Sequence, residues 1–135
     1  PYELCPVCNP LPGDEIMGFK HKDGSILVHK RNCHDAIALS AAEGDSIVDV
    51  TLPILPGRTY STRIEIDSVD RNGLLMDLVN IISNDLHLSI DELHTVTEDY
   101  IVTTQIKMQV PSAFELAEVL RIIEQVPGVE EVRTL

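Results

Sequence analysis

The chain is short of most features that assign a class at once. No apolar run approaches the ~20 residues a membrane span needs, and no charged-then-apolar leader opens the sequence, so neither a membrane protein nor a secreted one is expected. No initiator Met is present; the chain opens on Pro1, which predicts a piece cut from a longer protein. Basic residues are scarce, 10 against 22 acidic, for a net charge of −12 over 135 residues. A surface of that sign disfavours non-specific binding to nucleic acid, which depends on neutralising phosphates, but it leaves room for a local basic patch. There is no Gly-rich phosphate loop of the Walker type, no compelling Ser-His-Asp order, and no carboxylate pair that stands out from the rest. No catalytic site assembles. Cysteine is limited to three, an odd count that, without a leader, points to the cytosol and to metal rather than to disulfides.

What the chain does contain is concentrated. All three cysteines and three of the five histidines fall between Cys5 and His34. They read C-x2-C, a gap of twenty residues, then H-x3-C, which is the ligand count and spacing of a closed metal site. Two strand-like runs, Ile16 to Lys22 and Ser25 to Lys30, flank Asp23-Gly24, a two-residue hairpin signal because both positions tolerate positive φ. With Lys22 opposite Ser25, Phe19 faces Val28, and Phe19, Val28 and Ile26 share the core side. His29 then lies on the other side, opposite Gly18. The hairpin brings Cys33 back toward Asp14, close to Cys8. Asn32 can cap a helix from about Cys33 to Glu43, stopped by Gly44, and this places Cys33 in the first turn, where the helix dipole favours a thiolate. A strand-like stretch, Ile47 to Leu52, follows.

Pro53, Pro56 and Gly57 mark the boundary between a first module, 1–56, and a second, 57–135. A module of about fifty residues buries a small fraction of its surface and usually needs a staple. The ligand set for such a staple is Cys5, Cys8, His29 and Cys33, with His34 as substitute for His29 and zinc as the metal. Plain buried thiols with a surface His29, and redox chemistry at C-P-V-C, are the two alternatives. The helix and strand context of a thioredoxin-like site is missing. Lys20, Lys22, Lys30 and Arg31 cluster around the hairpin, either as a solvated rim or as a contact for RNA phosphates.

The second module has a clear period. Tyr60, Thr62, Ile64 and Ile66 alternate with polar residues as a half-buried strand. The turn Asp70-Arg71-Asn72-Gly73 leads into a helical run from Leu74 to Ile82. His87 to Thr97 reads as a second strand, with a bulge where Leu88 and Ile90 fall out of phase with Leu93. Glu98-Asp99 makes the turn to a third strand, Tyr100 to Val110, whose Val102, Thr104, Ile106, Met108 and Val110 share a face. Ser112 and Glu115 open a helix striped by Leu116, Val119, Leu120 and Ile123. Pro127-Gly128 ends it, and Val129 to Leu135 is a last strand. The order β-α-β-β-α-β is the ferredoxin-like split unit, so the chain is α+β throughout. One sheet face is left open, and edge or face pairing there leads to a dimer. At Asn72, Gly73, Leu74 and Leu75 a Gly-containing turn meets a helix N-terminus, either as a simple cap by Asn72 or as a seat for a carboxylate. His87 and His94 are isolated on a strand and read as structural or surface residues.

Two sets of segments carry a family resemblance. Cys8-Asn-Pro-Leu-Pro-Gly-Asp14, followed by Gly24-Ser-Ile-Leu-Val-His29-Lys-Arg-Asn-Cys33, resembles the zinc-finger (conserved-cysteine) domain of the long RelA/SpoT family. Those proteins are the bifunctional (p)ppGpp synthetase/hydrolases of the bacterial stringent response. Ile64-Glu-Ile, Val69-Asp-Arg-Asn-Gly-Leu-Leu75 and Gln125-Val-Pro-Gly-Val129 are similar to the ACT domain that ends the same proteins. The family pattern has adjacent cysteines before Pro-x-Pro-Gly-Asp; here Val7 precedes Cys8 and the other cysteine is Cys5. The resemblance implies a non-catalytic, cytoplasmic C-terminal regulatory segment with a structural zinc. Its partners would be the upstream GTP pyrophosphokinase and ppGpp hydrolase domains, a second copy through the ACT lobe, and the ribosome with uncharged tRNA. The alternative is an amino-acid-binding ACT sensor of another metabolic enzyme.

Overall fold

The computed structural model describes residues 2–42 and 46–135, and among these the side chains of all but 39–42. It divides into two compact units, Pro1–Arg58 and Thr59–Leu135. Gly44 and the predicted helix end at Glu43 lie outside the described residues.

The first unit has strands β1 (Tyr2–Leu4), β2 (Ile16–Lys20), β3 (Ile26–Lys30) and β4 (Ile47–Val48), with helix α1 (His34–Ala42) between the last two. The sheet order is β1-β3-β2-β4; β1 runs parallel to β3 and the other pairs are antiparallel. The stretch expected to be a strand to Leu52 pairs only at Ile47 and Val48.

The β2–β3 hairpin corrects the sequence-based register. Lys20 pairs with Ile26, Phe19 with Leu27, Gly18 with Val28 and Met17 with His29. The loop is not the two residues Asp23-Gly24 but three, Lys22 to Gly24. It is closed by the His21 N–H to Ser25 C=O bond of 2.8 Å and the Gly24 N–H to His21 C=O bond of 3.1 Å. Gly24 takes a φ of +91°, the left-handed position that a three-residue loop needs before its bulge. Asp23 fixes the turn, its carboxylate accepting from the Ser25 N–H at 2.9 Å and the Ser25 hydroxyl at 2.6 Å. A one-residue slip exchanges the faces of one strand relative to the other. His29 therefore shares a face with Phe19, while Val28 and Ile26 share the opposite face with Gly18.

The second unit is β5 (Tyr60–Val69), α2 (Leu74–Val79) continued by a π-helical segment (Asn80–Asp85), β6 (Ile90–Glu98), β7 (Ile101–Val110), α3 (Ala113–Glu124) and β8 (Val129–Thr134). Sheet order β6-β7-β5-β8 is the ferredoxin-like arrangement, with the first and third strands central. The core follows the alternation: Tyr60, Thr62, Ile64 and Ile66 on β5 and Val102, Thr104, Ile106, Met108 and Val110 on β7 are all buried. Leu116, Val119 and Ile123 of α3 are buried too. Ser112 caps α3 as expected, accepting the Glu115 N–H at 3.4 Å. The bulge lies between Ile90 and Glu92.

Two local assignments differ from the sequence reading. Asn72 does not cap α2; Gly73 occupies the N-cap position with φ 78° and no side-chain cap. The β6–β7 turn is Asp99-Tyr100 rather than Glu98-Asp99, with φ of 51° and 66°, the two left-handed residues of a type I′ loop, whose twist matches that of the strands.

Two substitutions test this geometry. Tyr100 is 83% exposed and carries a left-handed backbone; Tyr100→Gly is expected to raise the urea unfolding free energy of the second unit by about 1 kcal/mol. A Cβ on Gly18 would lie 2.7 Å from the Val50 side chain and 2.8 Å from that of Ile26. Gly18→Ala should therefore cost the first unit about 1–3 kcal/mol, visible as earlier loss of its amide signals while those of 59–135 persist.

Candidate metal centre

Four segments converge on one point of the first unit. β1 hands on to Cys5, whose N–H donates to Val28 C=O at 2.9 Å. The turn after Cys5 is closed by the Asn9 N–H to Cys5 C=O bond of 3.0 Å, with Asn9 left-handed at φ 48°, and it carries Cys8. β3 supplies His29, placed there by the hairpin register. Cys33 directly precedes α1, and its sulfur accepts from the N–H groups of Ala36 and Asp35. Cys33 therefore does the capping expected of Asn32.

The three sulfurs and one imidazole nitrogen lie within 4.8 Å of one another. In a tetrahedral site with metal–sulfur bonds of ~2.3 Å the sulfurs sit roughly 3.8 Å apart, so this set closes round an ion with small adjustments. Cys5, Phe19, Cys33 and Ala36 form the surrounding apolar cluster, with Cys8 and Met17 packed against it. His34, the substitute ligand, is exposed and outside the group.

His29 carries the clearest physical signal. It is 2% exposed, and neither ring nitrogen has a hydrogen-bond partner among the described residues. Its one ring contact is edge-on to Phe19, centroids 5.6 Å apart. A buried, unpartnered polar atom costs ~1–3 kcal/mol; a metal taking one lone pair removes that cost for one nitrogen. Burial lowers the His29 pKa, opposed by the charge of Asp35, so the ring is held in the neutral form that ligates.

The thiols move in opposite directions. Burial pushes Cys8 up to about 12, reinforced by the neighbouring thiols of Cys5 and Cys33 and opposed by the Lys30 N–H, which donates to its sulfur at 3.3 Å. Cys33 goes down: burial opposes this, but the N–H groups of Ala36 and Asp35 and the thiols of Cys8 and Cys5 outweigh it. Of these two thiols, Cys33 at the helix terminus is the one favoured as thiolate.

Lys20 and Lys22 are exposed on the hairpin. Lys30 is drawn to Asp14 at 3.8 Å and, with Arg31, Asp14, Glu15 and Asn32, lines an open cleft of ≈ 380 Å³. Asp14 also accepts the Leu11 N–H at 2.9 Å, which ties off the Pro-Leu-Pro-Gly-Asp turn.

In the second unit, Asn72 to Leu75 line a cleft of ≈ 310 Å³ together with Asp70, Arg71, Met76, Thr95, Thr97, Val102 and Thr104. The Thr104 hydroxyl is fully buried and has no partner among the described residues. Sequence reading had treated Thr104 as a core position; its signal was a lone hydroxyl in an otherwise apolar alternation. Arg71 was missed as well. It donates to Pro127 C=O at 2.7 Å, to Asn72 C=O at 3.0 Å and to the Asp77 carboxylate at 2.7 Å, clamping the α2 entry to the turn before β8.

With this geometry in place, comparison with known proteins assigns the class and then the family. The ACT domain family matches residues 56–133, and the RelA/SpoT RIS domain matches residues 1–51. The chain belongs to the ACT domain family, in the RIS-plus-ACT arrangement of the regulatory part of RelA/SpoT proteins. It is 25% identical over 130 residues to the bifunctional (p)ppGpp synthase/hydrolase RelA of Mycobacterium tuberculosis, covering 96% of this chain and 18% of that protein. It is 28% identical over 135 residues to the GTP pyrophosphokinase of Escherichia coli, covering 99% and 18%. The chain thus spans about a fifth of these relatives. The crystal structure of the ACT domain from GTP pyrophosphokinase of Chlorobium tepidum superposes with a TM-score of 0.53 at 23% identity, covering 58% of this chain and all of that one, and shares its fold. Among the described residues no helix is long and apolar enough to cross a membrane.

Metal binding to these residues must displace protons, at least from Cys8, so affinity is expected to fall as pH falls. Titrating the metal-free chain with zinc in two buffers of different ionisation enthalpy should give heats that differ by roughly one proton or more per ion. His29 acts in the same direction. Its folded pKa is depressed, so the unfolded ring takes up a proton first, and the first unit should lose stability as pH drops below about 6.5.

Proposed function

We propose that this chain is a non-catalytic regulatory segment, acting in the cytoplasm, whose first module (1–56) is built on a structural zinc held by Cys5, Cys8, His29 and Cys33. Its second module (57–135) is the ACT lobe. The segment controls the (p)ppGpp synthetase and hydrolase domains of its parent through interdomain contacts, self-association, or contact with ribosome and tRNA. The observation that supports this best is the convergence of three thiols on an imidazole whose nitrogens are otherwise unpartnered. Structural zinc in finger-like sites is worth roughly 10–16 kcal/mol of apparent binding free energy, enough to decide the folding of a module this small. The ion would supply charge neutralisation and a rigid four-point tether, with Cys33 joining it to α1 and His29 to β3.

For partners, exposed Lys20, Lys22 and Arg31 are the residues offered to RNA phosphates, with Lys30 partly tied to Asp14. A second copy would pair through the ACT lobe, where β6 has a free edge in the sheet order.

A second reading is favoured by one observation. The unpartnered Thr104 hydroxyl beside the Asn72–Leu75 turn suits a small amino acid, its polar group on the turn and its side chain against Val102.

Elemental analysis of untagged protein should give about one zinc per chain; a metal-free sample with all amide signals of 1–58 intact overturns the first reading. Cys8→Ser should unfold the first unit and leave the second folded. Calorimetry with the twenty amino acids tests the second reading: silence with all of them removes it. Any heat seen should vanish in Thr104→Val, a near-isosteric change expected to leave stability unchanged or slightly higher.

A further inference from the structure

Three of the four converging side chains are sealed: Cys5 is 3% exposed, His29 2% and Cys33 6%. Cys8 is half-buried, and the Pro6-Val7 dipeptide joining it to Cys5 is on the surface, with Val7 68% exposed. One edge of the site is therefore open, and it is the edge where two sulfurs sit in a single turn, closed by the Asn9 N–H to Cys5 C=O bond. The Cys33 sulfur is held by two N–H groups, those of Ala36 and Asp35 at the start of α1, where the Cys8 sulfur accepts one, from Lys30. Hydrogen bonds that stabilise a thiolate also reduce its nucleophilicity.

We propose that the Cys5–Cys8 turn is a site of two-electron thiol oxidation that releases the metal and opens the first unit. The inference rests on the metal reading above. The oxidant is hydrogen peroxide, small enough to approach half-buried Cys8. That thiolate attacks the distal peroxide oxygen, the O–O bond breaks, and the sulfur becomes a sulfenic acid while a hydroxide leaves and is protonated. The Cys5 thiolate then attacks the Cys8 sulfur, the S–O bond breaks, and a second hydroxide leaves and is protonated. Two electrons have passed from two thiolates to one peroxide, giving one disulfide and two waters for two protons consumed. The metal leaves as the divalent cation, unchanged in oxidation state, since two ligands cannot hold it against water. Cys33 and His29 remain unmodified. With the tether gone, His29 is again a buried group lacking partners, and the Cys5, Phe19, Cys33, Ala36 cluster loses its anchor. Thiol reductant and zinc restore the starting state.

The experiment uses the whole 135-residue chain. Zinc is first quantified, so that a sample holding none rejects the metal reading before oxidant is added. Hydrogen peroxide is then titrated in with a chromogenic chelator present. The expected result is one zinc released per peroxide consumed, an intact mass lower by about 2 Da than the reduced protein, a mapped Cys5–Cys8 bridge, and loss of the amide signals of 1–58 alone. Zinc retained through several equivalents, or a bridge that includes Cys33, overturns the proposal. So does release accompanied only by sulfinic or sulfonic acids. Cys8→His keeps a Cys2His2 ligand set while removing the open thiolate. Loaded with zinc, it should release metal at least tenfold more slowly, and an unchanged rate counts against the proposal. If that variant does not hold zinc, the bridge mapped in the natural chain decides.

Discussion

The first unit turns on the burial of one imidazole. A neutral histidine with both nitrogens cut off from water is a standing cost in any small core, and here it lies against Phe19 in a cluster of only a few residues. An interaction that uses the ring relieves that cost. Three sulfurs at the right spacing supply the rest of that interaction's geometry. Everything else in the unit serves the same point: a parallel strand to deliver Cys5, a closed turn for Cys8, and a helix start for Cys33. The sheet is built from strands of two to five residues, too few to hold a fold together by pairing alone.

The second unit is organised by a different economy of forces. Its two central strands each have ten residues and pair along their full length, and their inner faces are continuous and apolar except for the hydroxyls of Tyr60, Thr62, Ser68 and Thr104. Area burial and ladder hydrogen bonds stabilise it without any ion. Its exposed sheet face is polar, with Arg133 bridging Glu65 and Asp67 and Gln105 donating to Glu65. These are exposed or half-buried pairs, each worth a fraction of a kcal/mol, and they set the face's chemistry more than its stability. Fourteen of the 22 acidic residues belong to this unit, while the basic hairpin belongs to the other.

Legibility differed between the units for physical reasons. Period-two alternation over ten residues is hard to misread, so the β5 and β7 core faces, the Ser112 cap and the bulge near Ile90 could be found from sequence. Turns were read less well. Asp23-Gly24 has the composition of a two-residue hairpin, yet Asp23 bonds to Ser25 and the loop takes a third residue, which moves His29 from the outer face to the core. Asn32 and Asn72 have the right side chain for a cap, but the sulfur of Cys33 and the backbone of Gly73 occupy those positions. In each case competing local hydrogen bonds of similar strength were decided by packing.

By itself, then, the sequence determined the ligand types and their spacing, the βαββαβ order, the acidic balance and the family. These follow from residue identity and periodicity, which are local. Tertiary structure alone decided which imidazole joins the cysteines, that Cys8 is the open member of the set, and that Thr104 is left without a partner among the described residues beside a cleft. Those depend on register and on what packs over what. A single residue of slip is invisible in composition but exchanges every side chain of a strand between two faces.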